Sequence, residues 1–340
     1  MNIRRILTIV SLSLFTAFSA YAAPLEMNFQ SAWQPAQKQN PDAIEPWAKS
    51  FAEKSDGEMI MHVFYTGGLV ESSALAEAIK SGMVDSGGWS FSDQKKTPYL
   101  FLTQLPYIGK DQAHAYRVFH KLIDEVPELR AELDSVGILL SASISAPCMI
   151  ASRDTPIRSI ADIKGKRVLC AVPLFSEYVE AWGGIPVSVS PGDVYVGLQR
   201  GMGEMMLCGI SCVKGTRVHE VCKYATDLGM TFSSLFPYSM NRELFEKDMT
   251  PGQQALTLEL SKDLGKKVLD SFLADVANSY KEFEAAGCSV SRLGEAEEAE
   301  FIKVTRDNIM PNLVRKAKEA GLADPQSVID RYLEIAASVE

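Results

Sequence analysis

The chain has 340 residues, of which 46% are hydrophobic and 23% charged, with a formal charge of −9. That is the composition of a globular protein with one large or two medium domains. An acidic chain without basic runs argues against nucleic acid as a partner.

The N-terminus reads as an export leader. Arg4 and Arg5 precede an apolar run, Ile6 to Phe18, and Ala20-Tyr21-Ala22 supplies a small-x-small cleavage site. The run is short for a membrane span, so residues 1–22 are expected to be a signal peptide and the mature protein periplasmic. No later stretch is apolar for long enough to cross a bilayer.

Leu25, Met27 and Phe29 alternate with polar residues, which predicts a strand. Asn40-Pro41 reads as a helix start, and Ile44, Trp47, Ala48 and Phe51 share one helical face. Asp56-Gly57 predicts a turn, and Met59 to Phe64 a second strand. A helix from about Ser72 should stop at Gly82. Strands alternating with helices at this spacing indicate an α/β protein with a largely parallel sheet. A faint internal echo then appears, because Gly82-Met83 and Gly201-Met202 each end a helix and lead into a strand. Two such units suggest two similar lobes. Ser135 to Ser145 reads as a long strand, with Ala146-Pro147 as the crossover between lobes. Arg167 to Val172 predicts a strand, Ser190-Pro191 a helix start, and Tyr224 to Met230 the beginning of a return. Thr250-Pro251 opens a helical stretch in which Leu256, Leu260, Leu264, Val268, Phe272, Val276 and Tyr280 recur every fourth residue until Gly287. One helix of roughly 50 Å is expected there, long enough to brace both lobes.

Six cysteines, Cys148, Cys170, Cys208, Cys212, Cys222 and Cys288, follow residue 147 without a CxxC pair. They read mainly as buried small apolar residues, although an exported chain permits disulfides, whose pairing the sequence leaves open. The histidines at 62, 114, 120 and 219 lack zinc-site spacing. Cys170 or Cys208 with His219 is the one conceivable thiol nucleophile pair. No phosphate loop, nucleophile elbow, cofactor motif or metal motif accompanies it, so no enzyme, cofactor or metal is expected.

Ile160-Ala161-Asp162-Ile163-Lys164-Gly165-Lys166-Arg167-Val168, Ala181 to Val187, Asp193 to Gly201 and Val221 to Tyr224 together resemble the motif set of TRAP-transporter solute receptors, the DctP-type proteins. Phe51 to Lys54, Tyr65 to Leu69 and Leu105-Pro106-Tyr107 extend the resemblance over nearly the whole mature chain. It implies two α/β lobes joined by hinge strands and a long C-terminal bracing helix. The first lobe is expected from residues 23–146 plus 235–274 and the second from 147–234 plus 275–340. It also implies capture of a small organic solute in the cleft and delivery to a DctQ/DctM-like permease. A receptor that presents its ligand to a membrane sensor would share the same fold.

The resemblance also exposes a departure. The family's usual carboxylate clamp, an Arg four residues after Gly165, falls on Leu169. Arg167 is the nearest Arg and a possible substitute. Cys148 or Met149, and Cys208, stand where further polar anchors are expected. Trp33, Trp89, Phe175 and Phe232 fall near the family's cleft-lining positions and would supply aromatic walls. Glu71 and Asp93 are the nearest acidic candidates for a ligand hydroxyl or amine, with a helix-start carboxylate as the default reading of Glu71 and a solvated loop residue as that of Asp93. The expected cargo has an aromatic, apolar or uncharged body, or is a cation, rather than being a simple dicarboxylate.

Overall fold

The structure, a computed structural model, describes residues 23–90, 95–144, 148–210, 217–229 and 234–340. The expected leader, Asp93 and Phe232 lie outside them.

The chain builds two sheets. Strand β1 (Leu25–Gln30) buries Met27 and Phe29, as the alternation predicts. Asn40 does not cap the first helix. Its side chain instead joins Ser31 Oγ (2.6 Å) to the Gln34 carbonyl (2.7 Å), and a wide helical turn leads into α1 (Glu45–Lys54). Strand β2 (Met59–Phe64) pairs parallel to β1. Helix α2 (Leu75–Ser81) ends at Gly82, whose φ of 76° lies in the left-handed region, and β3 (Ser86–Gly88) follows. Helices α3 (Pro98–Leu102), α4 (Gln112–Glu125) and α5 (Pro127–Val136) then lead to β4 (Ile138–Ile144). The expected strand from Ser135 therefore starts three residues late. Leu129, Leu133 and Val136 form a helical stripe that holds Ser135 and Val136 in α5.

The second sheet starts at β5 (Cys148–Ser152), followed by β6 (Arg167–Cys170), α6 (Pro173–Ala181), β7 (Ile185–Ser188), α7 (Val194–Gln199), β8 (Met205–Gly209) and β9 (Tyr224–Asp227). Gly201, after α7, has a φ of 72°, so both halves of the internal echo end a helix in the same way. The chain then returns to the first sheet as β10 (Leu235–Met240), runs through α8 (Pro251–Ser261) and α9 (Leu264–Ala285), and adds β11 (Ser289–Arg292) to the second sheet. Helices α10 (Glu295–Glu319) and α11 (Pro325–Ala337) complete it.

The sheet orders are β2-β1-β3-β10-β4 and β11-β9-β5-β8-β6-β7. Each sheet holds one reversed strand, β10 in the first and β5 in the second. Those are the strands that receive the chain after it crosses between sheets. The described residues that flank the crossings lie together: Ile144 pairs with Leu235 in one sheet, and the Leu228 N–H donates to the Cys148 carbonyl in the other.

The expected single bracing helix is two helices, α8 and α9, broken at Lys262–Asp263. The cause is local. Gly265 packs its backbone against edge strand β4, and its N–H donates to buried Ser141 Oγ at 2.9 Å rather than to the preceding turn. A Cβ on Gly265 would lie 1.8 Å from the Ala142 carbonyl oxygen. Helix α9 nevertheless does the bracing: Val268 and Phe272 lie in the first sheet's core, and Phe283 in the second's. At 22 residues it spans about 33 Å.

The last helices depart from the expected division. Helix α10 ties to α6 through the Trp182 indole N–H, which donates to Thr305 Oγ1 (2.8 Å). Residues 325–340 pack on the first sheet's helices instead. The Tyr332 hydroxyl donates to the Tyr99 carbonyl (3.0 Å), and His114 Nε2 donates to the Val339 carbonyl (3.1 Å), its Nδ1 accepting from the Lys110 N–H. Beside them, Glu132 accepts from the Tyr99 and Leu100 N–H groups at the start of α3.

Gly265→Ala should lower stability by roughly 3 kcal/mol, because the obstacle is backbone and cannot swing away. Gly252→Ala, facing open space in α8, should be neutral or slightly stabilising. Thermal unfolding of both variants checks this. Burial raises the Glu132 carboxyl from 4.5 to about 7, against the lowering by its two backbone donors. Between those values the folded state holds more protons than the unfolded one. Its contribution to stability is therefore full below the window and falls as pH rises through it. Glu132→Gln does not titrate, so the stability advantage of wild type over this variant should shrink between pH 4.5 and 7.5 in thermal melts.

Candidate functional site

Strand directions locate the site. Strands β1 to β4 run parallel, as do β6 to β9 and β11, and the crossings leave from the ends of β4 and β9. All these carboxyl ends therefore lie on the edges where the sheets face each other, which is where open α/β sheets take their ligands. The cleft-edge residues of the first sheet are Gln30, Phe64, Gly88 and Ile144. Those of the second are Cys170, Ser188, Gly209, Asp227 and Arg292.

At the first edge, Trp33 lies three residues past β1. It is half-buried, with its ring 4.9 Å from Phe236 and edge-on to Phe272 at 5.1 Å. Ser143 pairs directly across from Phe236, and Tyr238 lies two residues on along the same face. The Trp33 Nε1, Ser143 Oγ and Tyr238 hydroxyl are all buried without a protein partner in hydrogen-bonding geometry. Burial raises the Tyr238 hydroxyl well above its usual value; the neighbouring Trp33 N–H opposes the shift. Three neutral polar groups therefore crowd the hinge end of β4 and β10. Gln30 is fully buried and holds the adjacent loop, its Oε1 accepting from the Leu69 and Val70 N–H groups (both 2.9 Å) and its Nε2 donating to the Val70 carbonyl. Glu71 follows that loop and is exposed. His120 closes the β4 side, with Nε2 3.2 Å from the Ala142 carbonyl, and burial holds the ring below its ordinary value, so the neutral imidazole donates.

At the second edge, Asp227 Oδ1 accepts from the Gly229 N–H at 2.7 Å. The buried Tyr280 hydroxyl is pushed far up, by burial first and then by Asp227, with Arg292 opposing. Asp227, Tyr280 and Arg292 thus form one electrostatic neighbourhood, and Arg292 is the only cation among the cleft-edge strand ends.

The structure sorts the sequence candidates differently from the expectation. Arg167 opens β6 at the edge away from the cleft, about 10 Å from the strand's other end. Its guanidinium is exposed, 3.4 Å from Glu204 and 3.1 Å from the Gly201 carbonyl. Leu169 is fully buried against Gly197 and Gly203, where added Cβ atoms would come within 3.0 and 2.8 Å of it. Leu169 and Cys208 share the core beneath α7 with Met149. Trp89 is a core residue, its N–H donating to the Pro237 carbonyl and its indole N–H to Ser239 Oγ (both 3.0 Å). Phe175 and Cys148 are buried in the same large core as Trp89, although Cys148 begins β5 at the cleft edge. Of the described aromatic candidates, only Trp33 is not fully buried.

The thiols do not favour nucleophilic chemistry. Burial raises Cys170 to about 11 and Cys222 to about 12, and raises Cys288 as well. Among the described residues no three metal-binding side chains cluster. Gln30, Ser143 and Tyr238 were missed by sequence reading. None left a local signal, since Gln30 simply falls at a polar position of the β1 alternation.

Comparison with known proteins fits this geometry. The model of "Bacterial extracellular solute-binding protein, family 7" (DctP) matches residues 29–311. The ectoine-binding periplasmic protein TeaA of Halomonas elongata is 23% identical over 337 residues, covering 94% of this chain and 95% of that protein. A solved TRAP solute-binding protein from a marine metagenome, specific for aromatic acid ligands, superposes with a TM-score of 0.78 at 18% identity, covering 93% of this chain and 99% of that one. A TRAP periplasmic solute-binding protein from Roseobacter denitrificans, with bound β-D-glucuronate, gives 0.74 at 19% identity, covering 93% and 100%. Proteins of this family are extracytoplasmic receptors for small organic solutes that work with membrane permease components, and are not enzymes. With the match spanning most of its length, this chain belongs to the bacterial extracellular solute-binding proteins of family 7, the DctP family.

Proposed function

We propose that the protein is the periplasmic receptor of a TRAP-type transporter. It captures in its interlobe cleft a solute with an aromatic, apolar or uncharged body, or a cation, and hands it to a DctQ/DctM-like permease. The observation that carries the cargo class is Leu169. A fully buried leucine over two glycines stands where the family resemblance puts the carboxylate clamp, and Arg167 is tied up at the far edge.

The remaining edge chemistry supports the same reading. The first sheet offers Trp33 Nε1, Ser143 Oγ and the Tyr238 hydroxyl, which suit a neutral donor or acceptor on a flat body beside the indole. The second offers Arg292 with Asp227 close by, so its positive charge is partly cancelled. Among the described residues at the strand ends, a dicarboxylate would meet Arg292 as the one cation, and each poorly paired buried charge costs several kcal/mol. The relatives fit a broad cargo range, since their names include aromatic acids, a uronate and ectoine.

The test starts with native mass spectrometry of protein purified from its exported form without unfolding, to identify the solute it carries. After removal of that solute, calorimetric titration with 3-hydroxybenzoate, ectoine, succinate and malate compares the classes. The expected result is micromolar binding confined to ring-bearing solutes. Micromolar binding of succinate or malate overturns the assignment.

A further inference from the structure

We propose that Cys222 and Cys288 form a disulfide in the exported protein, closing the chain's excursion through the first lobe at its base. The closed loop would be residues 223–287, which hold β9 and the excursion that follows it. The chain leaves the second sheet after β9, builds β10, α8 and α9 beside the first sheet, and re-enters the second sheet as β11. Its two ends meet. Ser289 pairs with Tyr224, and the Ser289 N–H donates to the Lys223 carbonyl at 2.8 Å. Residue 288 therefore lies abreast of residues 222 and 223.

The sulfurs are placed accordingly. Cys288 Sγ is 3.0 Å from the Cys222 carbonyl oxygen and 3.4 Å from that of His219. Both cysteines are buried, at 3% and 9% exposure, in one apolar cluster. The two thiols are close enough for Cys288 to help raise Cys222, after burial itself. In this structure both are free thiols. A side-chain rotation at neighbouring positions is the smallest change that would join them, and the excursion already returns to this point through backbone hydrogen bonds.

The chemistry is a two-electron exchange with a small disulfide such as glutathione disulfide. One cysteine, as thiolate, attacks the oxidant, forming a mixed disulfide and releasing one glutathione thiolate. The second cysteine displaces the other glutathione. The new Cys222–Cys288 bond is balanced by two reduced glutathiones, which carry away the two cysteine protons. Because burial suppresses both thiolates in the folded state, the exchange runs before β11 docks on β9, and docking then shields the product. An oxidising exported compartment is where such a pair persists. The bond would fix both ends of the segment that carries β10 and α9, and so stabilise the docked base by restricting the unfolded chain.

Protein purified from its exported form is denatured with N-ethylmaleimide and no reductant, digested and mapped by mass spectrometry. The expected result is a cross-linked peptide containing Cys222 and Cys288, with neither labelled. Reductant should lower the melting temperature by several degrees. Cys222→Ala and Cys288→Ala should show the lowered value with or without reductant. Labelling of both thiols, or pairing of either with another cysteine such as Cys212, overturns the proposal. The peptide map of the unmodified protein decides the question even if a variant fails to fold.

Discussion

Two short connections between the sheets, whose flanking residues pair with one another, set the geometry of the molecule. The first has only residues 145–147 to travel from Ile144 to Cys148, so β4 must end, and β5 begin, on facing edges of the two sheets. The second crossing repeats the constraint in reverse, from β9 to β10. Each receiving strand must run against its neighbours, which explains why each sheet has one reversed strand. The parallel strands then deliver all their carboxyl ends to the gap. The ligand cleft is thus a consequence of how the chain changes sheets, and the crossings double as its hinge. Helix α9 adds a third connection. Its close approach at Gly265 ties it to β4 two residues from the end of that strand, while Phe283 reaches the second core.

The same layout separates groups that bind from groups that hold the cleft in shape. A strand residue one position along faces the other side of the sheet, and a few positions along it leaves the cleft altogether. Leu169 is near the cleft end of β6 yet points into the core under α7, while Arg167, on the same strand face, sits at the wrong end. Among the described residues at the first sheet's cleft edge, the buried polar groups are uncharged. Gln30 spends its side chain on the Leu69–Val70 loop, and the Trp33, Ser143 and Tyr238 polar atoms stay available at the hinge. On the cargo class proposed above, such a site would discriminate by leaving a doubly charged ligand badly solvated rather than by a strong attraction to one group.

Much of the fold was legible because its signals are local. Alternation marked β1 and β2, the Ile44-Trp47-Ala48-Phe51 stripe marked α1, and two left-handed glycines marked the matched ends of α2 and α7. The misreadings arose where local signals tie. Ser135 and Val136 suit a strand as well as the end of α5, and only the Leu129–Leu133 stripe decides. The fourfold apolar spacing from Leu256 to Tyr280 runs unbroken through Lys262–Asp263, because the break is set by a contact with Ser141 and Ala142, far away in sequence. The site was less legible for the same reason. Trp89 and Phe175 look like cleft walls in sequence, but hydrogen bonds to β10 hold Trp89 in the core, and Phe175, on α6, is buried in the same core. Ser143 and Tyr238 matter only because β4 and β10 pair, and nothing local announces that.

The central claim is that the two sheets belong to lobes that close on a solute about the paired crossings. Small-angle X-ray scattering of the protein, first freed of solute and then saturated with the solute identified on it, measures this directly. The account predicts a smaller radius of gyration on saturation, reversed when the solute is dialysed away. Superimposable scattering curves, with saturation verified by calorimetry on the same samples, would contradict it.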